Sequence, residues 1–290
     1  MKQQFRTIKF HKKNLYLLEK IKEILEEYDE KGIRVTLRQL YYQLVARDII
    51  PNKISEYQKL STILTNARYN GNIDWYSIED RVRVPKIPNI FLNVNELIEV
   101  ACKSYQLDRW EEQKFYIELW TEKDAISSVI YPITQKYQIP VIVNRGYSSA
   151  SAMFESAQRF LEQEEKTKII LYLGDHDPSG LDMDRDIKKR LNEFEVEVEV
   201  IRIGLTKKQT EEYNLPTNPA KMKDPRSKWY VENFGYNSWE VDALRPEVLQ
   251  QLIENSILIF LDLEKYEQVK KQEQKEIRQL ELNLNEEFEK

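Results

Sequence analysis

Residues 115–203 alternate short apolar runs with helical periodicity, and that alternation leaves few folds open. The pattern is strand to Trp120, helix to Tyr137, strand 140–143, helix 149–164, strand 168–173, helix 181–194 and strand 196–203. Continuous apolar strands separated by helices predict an α/β fold, with a mostly parallel sheet covered by helices on both faces. In such sheets ligands gather beyond the C-terminal ends of the strands. Two of those ends carry acids. The run Phe115-Tyr116-Ile117-Glu118-Leu119-Trp120 leads into Thr121-Glu122-Lys123, and the run 168–173 leads into Gly174-Asp175-His176-Asp177-Pro178-Ser179-Gly180.

In an extended stretch alternate side chains share a face, so Asp175 and Asp177 are expected to point together and His176 away. Paired carboxylates suit a hard cation such as Mg²⁺, which binds oxygen and keeps water and substrate phosphate in its shell. The same residues also suit a plain turn. Glu122 at the neighbouring strand end makes a third carboxylate available, although an acid opening a helix is also favoured by the helix dipole. Asp182, Asp184 and Asp186 follow in the first turns after Gly180, where dipole and solvation roles compete with metal ligation.

Composition removes several kinds of chemistry. With one cysteine, Cys102, there is no internal disulfide, and with two histidines, His11 and His176, zinc fingers and histidine-activated nucleophiles are disfavoured. Among the seven glycines there is neither a Walker loop nor a Gly-x-Gly-x-x-Gly turn, so nothing points to an ATPase. No apolar stretch approaches the roughly 20 residues of a membrane span, and residues 1–6 lack the apolar core of a secretion signal. A cytoplasmic, nucleoid-associated protein is expected. The net charge is −5, but residues 1–90 carry 17 Lys/Arg against 11 Asp/Glu, while the rest carries 27 against 38. A basic front on an acidic back fits a DNA-contacting module joined to a metal-holding one.

The front predicts three helices. Leu17, Leu18, Ile21, Ile24, Leu25 and Tyr28 stripe the first, which ends before Gly32. Ile33-Arg34-Val35 is a short extended piece. Thr36 caps a second helix reaching about Asp48, and Ser55 caps a third, striped by Tyr57, Leu60, Ile63, Leu64 and Ala67. With a strand-like stretch at 75–84, this is the order of a winged helix-turn-helix, whose third helix enters the major groove. Lys59, Thr62, Asn66, Arg68 and Tyr69 on that helix, and Arg81 and Arg83 in the wing, are candidate DNA contacts. The chain therefore divides into a winged-helix module at 1–84, a linker and bridging helix at 85–114 (helix 93–110), a metal-binding domain with its extension at 115–260, and a charged helical tail at 261–290.

Trp120-Thr121-Glu122-Lys123, Arg145-Gly146-Tyr147 and the 174–180 box together resemble a Toprim domain, the metal-binding fold of topoisomerases, primases and several nucleases. Arg38-Gln39-Leu40-Tyr41-Tyr42 resembles the Arg-x-x-aromatic-Tyr motif of the topoisomerase VI A subunit and its relatives. Ile203-Gly204-Leu205-Thr206 and Tyr213-Asn214-Leu215-Pro216 resemble the segment after the family's Toprim core. The likeness is greatest to the short stand-alone "mini-A" type and covers about residues 34–260.

The resemblance implies that Glu122, Asp175 and Asp177 hold Mg²⁺ or Mn²⁺, with Glu122 and Arg38 also serving catalysis. Lys123 and Arg145 would contact double-stranded DNA. Tyr42 would be the nucleophile that leaves a 5′-phosphotyrosyl enzyme. Helical spacing agrees, since Leu37, Leu40, Tyr41 and Leu44 form the buried stripe and Tyr42 lies about 100° round from Tyr41, sharing a face with Arg38. The resemblance also implies a homodimer, in which the tyrosine of one copy meets the metal site of the other. ATP-gated strand passage would need a separate ATPase subunit. Alternatives are a Toprim nuclease that uses metal-activated water, and a DNA-binding assembly protein without catalysis.

Overall fold

A computed structural model describes residues 2–78, 88–144 and 148–288, with side chains described through residue 282. Four parallel strands form its centre: β1 (Phe115–Thr121), β2 (Val141–Val143), β3 (Thr167–Leu173) and β4 (Glu199–Gly204), in the order β2-β1-β3-β4. The alternation of side chains along these strands separates two cores. Ile117, Leu119, Ile169, Leu171 and Leu173 belong to one, packed with the helices α5 (Ser127–Lys136) and α10 (Pro246–Phe260). Trp120, Ile170 and Tyr172 belong to the other, with Met153 and Phe160 of α6 (Ala150–Leu161) and Met183, Ile187 and Leu191 of α7 (Gly180–Asn192). The sheet is therefore flanked by helices on both faces, which is why its strands read as unbroken apolar runs.

The front begins with α1 (Lys12–Glu30), α2 (Leu37–Ala46) and α3 (Ile54–Tyr69). The predicted stripe of α1 is the buried one. Thr36 caps α2 reciprocally with Gln39, the Thr36 N–H donating to Gln39 Oε1 at 2.9 Å. Ser55 does not cap α3: the helix begins two residues earlier than that cap implies, behind Lys53, with no side-chain cap. The stretch expected to be strand from 75 reaches only a single parallel bridge, Val35 with Ile78, before the described residues stop, and positions 79–84 lie outside them.

The bridging helix is shorter than expected. Asn93 caps α4 (Val94–Ser104), which ends six residues before Trp110. Downstream lie α8 (Lys207–Glu212), α9 (Ser227–Phe234) and the two-residue strands β5 (Asn218–Pro219) and β6 (Asn237–Ser238). The tail forms one helix, α11 (Leu263–Phe288), which is anchored: Tyr266 and Glu273 are buried, and Arg109 pairs with Glu273 at 2.7 Å. Among the described residues no helix is long and apolar enough to cross a membrane. The front helices share a core with the sheet, joined through a 3-10 turn at Val241–Ala243 that packs on α2.

Candidate functional site

Strand pairing alone brings the two predicted acidic ends together. Thr121 of β1 pairs in register with Leu173 of β3, so the next residues emerge side by side. Glu122 Oε1 accepts a hydrogen bond from the Asp175 amide at 2.8 Å. The loop beyond is tightly wound. Asp177 Oδ1 accepts from the Gly180 amide at 2.7 Å and the Ser179 hydroxyl at 3.0 Å. A Cβ on Gly180 would stand 2.4 Å from the Asp175 carbonyl oxygen, so only glycine permits this approach.

The acids are answered by cations. Lys123 Nζ lies 2.7 Å from Asp175 Oδ2, and Lys221 Nζ 2.8 Å from Asp177 Oδ2. Asp175 Oδ1 accepts from the Val241 amide at 2.9 Å. Among the described residues no three His, Cys, Asp or Glu side chains form a ready-made cation cage. The donors are hard oxygens at neighbouring strand ends, the right type for Mg²⁺ or Mn²⁺, and the two ammonium groups sit on oxygens such an ion would use. Burial pushes the Asp175 carboxyl above the ordinary carboxylate range despite Lys123. Burial pushes Asp177 the same way, but Lys221, the Gly180 amide and Ser179 outweigh it and hold Asp177 below that range.

A second acidic pair, Glu240 and Asp242, completes the site and was not found from sequence. Arg38 Nε donates to Asp242 Oδ2 at 2.5 Å, and its guanidinium also bonds Glu240. Lys123 Nζ reaches Glu240 at 3.3 Å. Ion pairs thus run from Arg38 through Asp242 and Glu240 to Lys123 and Asp175, and Glu122 lies beside them on the Asp175 amide. Asp242 is almost fully buried, and among the described residues its Oδ1 has no hydrogen-bond partner. An orphaned buried carboxylate oxygen marks a place for a further polar group.

Tyr42 departs from its helical-stripe assignment. It is as buried as Tyr41, because the C-terminal part of the same chain covers its face of α2. Its ring lies 5.7 Å from the Arg38 guanidinium, and Asn218 Nδ2 donates to its hydroxyl at 3.5 Å. Burial, reinforced by Asp242, pushes the phenol up to about 12. The Arg38/Tyr42 helix and the strand-end acids therefore meet within one chain.

His176 turns into a box of Tyr230, Phe234 and Trp239, and its Nδ1 lies 3.0 Å from the Tyr230 hydroxyl. Reciprocal backbone bonds of 2.9 and 3.0 Å tie it to Trp239, which places Glu240 and Asp242 over Asp175. Burial lowers the imidazole to about 4. The unfolded chain therefore binds the extra proton first, and the neutral ring's contribution, complete above about pH 6.5, is lost as pH falls through about 4. In urea denaturation, His176→Gln will shrink the loss of stability between pH 7 and pH 4.5 by on the order of 2 kcal/mol. An unchanged pH dependence would show that His176 is not buried neutral.

The remaining candidates scatter. Lys59 and Thr62 are exposed on α3 and Asn66 is half-buried, whereas Arg68 folds back to donate to the Trp75 carbonyl at 2.6 Å. Lys123, expected on DNA, is turned inward among the acids. Asp182 pairs with Arg185 and Arg226, Asp184 with Arg202, and Asp186 with Arg190, so all three have cationic partners on the protein. Arg81, Arg83 and Arg145 lie outside the described residues. No family model matches this chain, and no curated protein matches it either.

Proposed function

We propose that this chain is a Mg²⁺-dependent DNA-cleaving enzyme of the topoisomerase VI A type, with a winged helix followed by a Toprim domain. One observation carries the proposal. The Arg38/Tyr42 helix and the Asp175 strand end, far apart in sequence, are joined by one chain of ion pairs through Asp242, Glu240 and Lys123.

Glu122, Asp175 and Asp177 would hold Mg²⁺, or Mn²⁺ in its place. The bound ion supplies neutralisation of phosphate charge and orientation of the backbone. Arg38, held by Asp242 and Glu240, presents its guanidinium to the phosphate and favours the phenolate of Tyr42. Tyr42 Oη attacks phosphorus after losing its proton. The bond to the 3′ oxygen breaks, leaving a 5′-phosphotyrosyl link and a free 3′-hydroxyl. Lys123 and Lys221 balance the carboxylates until substrate and cation enter. Two copies acting on opposite strands would give a double-strand break, and strand passage would need a separate ATPase subunit.

A hydrolytic Toprim nuclease is the second reading, favoured by the burial of Tyr42 and its raised phenol. In that case water attacks the phosphodiester and Tyr42 only packs against Arg38.

Supercoiled and end-labelled DNA incubated with the protein in Mg²⁺ tests the shared part of both. Cleavage is expected, and Asp177→Asn will reduce it beyond the roughly 10–100-fold typical of losing a ligand's supporting partner. Salt-sensitive DNA binding without cleavage in Mg²⁺ or Mn²⁺, alone or with an ATPase subunit, would leave a non-catalytic DNA-binding protein.

A further inference from the structure

The N-terminal segment is bound across the C-terminal end of α3, and together they make an open aromatic pocket. The Phe5 and Arg6 amides both donate to the Tyr69 carbonyl, at 2.8 and 3.0 Å. The Ile8 amide donates to Asn70 Oδ1 at 2.7 Å. Gly71, at φ +72°, lets the segment approach so closely that a Cβ there would stand 3.3 Å from the Gln4 amide nitrogen. These contacts fix the pocket walls, which are Gln3, Phe5, Arg6, Tyr69, Trp75 and Tyr76, around about 560 Å³. That is within the range of small-ligand clefts.

Inside, the aromatic rings are braced and the outer ones left open. Trp75 takes the edges of Phe5 and Tyr69 at 5.9 and 5.2 Å, and the Arg68 guanidinium covers it at 4.8 Å. Arg6 lies 4.2 Å over Tyr69. Phe5 and Tyr76 remain 57% and 66% exposed, and both line this one pocket, so their open faces are available to a flat partner. The charge in the pocket wall narrows the partner: among the described residues Arg6 is its one ionised lining residue, and the Arg68 guanidinium stands on Trp75 behind it. Open π faces beside a guanidinium match a nucleobase with its phosphate.

We infer that this pocket holds one unpaired base of the bound DNA, stacked on Phe5 and Tyr76, with the adjoining phosphate on Arg6. This rests on the DNA-acting function proposed above and adds a preference to it: the chain selects duplexes that offer an extrahelical base. Both rings are more than half exposed and neither belongs to the buried stripe of α3, Leu60, Ile63, Leu64 and Ala67, so removing them leaves that stripe in place.

Fluorescence anisotropy of the full chain in EDTA, with a labelled duplex carrying one bulged thymine and the same duplex without it, tests this. The unmodified protein is expected to bind the bulged duplex about tenfold more tightly, the scale of stacking one base. The Phe5→Ala/Tyr76→Ala double variant is expected to bind the two duplexes equally, while Lys59→Ala weakens both alike. Equal binding of both duplexes by the unmodified protein, or a preference that survives in the double variant, overturns the inference and leaves the DNA-acting function standing. Failure to bind either duplex overturns both.

Discussion

Tyr42→Phe will eliminate the covalent protein–DNA adduct formed in Mg²⁺, lowering its rate of formation by about 10³-fold or more, as loss of a covalent nucleophile does. The fold will survive the change. Among the described residues the lost hydroxyl accepts only from Asn218 at 3.5 Å, so the cost should not exceed about 1 kcal/mol. Tyr41→Phe gives the opposite pattern. Its hydroxyl donates to Asn52 at 2.9 Å and lies 3.2 Å from the Lys53 carbonyl, so adducts persist while stability falls. A phenol held near 12 is almost wholly protonated at neutral pH. Single-turnover adduct formation should therefore climb roughly tenfold per pH unit between pH 7 and 10, following the phenolate fraction. Denaturing gels of end-labelled DNA read both effects. Undiminished cleavage by Tyr42→Phe, with no adduct in either protein, would replace the tyrosine mechanism with hydrolysis by water.

The parallel sheet and its acidic edge were legible because buried strands leave continuous apolar runs. Once β1 and β3 are neighbours in register, Glu122 and Asp175 must emerge together. The sequence held no comparable signal for Asp242, which meets Arg38 from 204 residues away. Its place depends on a lone backbone bridge between His176 and Trp239, and an isolated bridge leaves no periodicity behind it. Tyr42 was misplaced for a related reason. Helical spacing located the face of α2 that meets α1 and α3, but a second surface, Asn218 and the Val241–Ala243 turn, covers the other side. A helix packed on two sides has no outward face to read, so both adjacent tyrosines are core.

The site also depends on a buried charge four residues upstream of Glu122, and removing its partner will have the largest effect on stability. Glu118 lies mid-strand in β1 with its carboxylate shut off from water. It accepts from Trp120 Nε1 at 2.7 Å, the Tyr116 hydroxyl at 3.0 Å and Arg159 Nε at 2.9 Å. Two neutral donors cannot balance a desolvated carboxylate, whereas the guanidinium of α6 can. Arg159→Met deletes the charge and keeps an apolar side chain in its place, leaving the buried Glu118 carboxylate without its counter-ion. The expected loss is about 3 kcal/mol, at the lower end for an orphaned buried ion because Arg159 keeps one edge in solvent. Urea denaturation should show it as a lower midpoint at unchanged slope. Adding Glu118→Gln should recover part of the loss, since the amide oxygen still accepts from Trp120 and carries no charge. A loss below about 0.5 kcal/mol in Arg159→Met would mean that Trp120 and Tyr116 suffice. Because α6 holds β1 through this pair, Arg159→Met should also reduce DNA cleavage at temperatures where the fold still persists, by loosening the strand that presents Glu122.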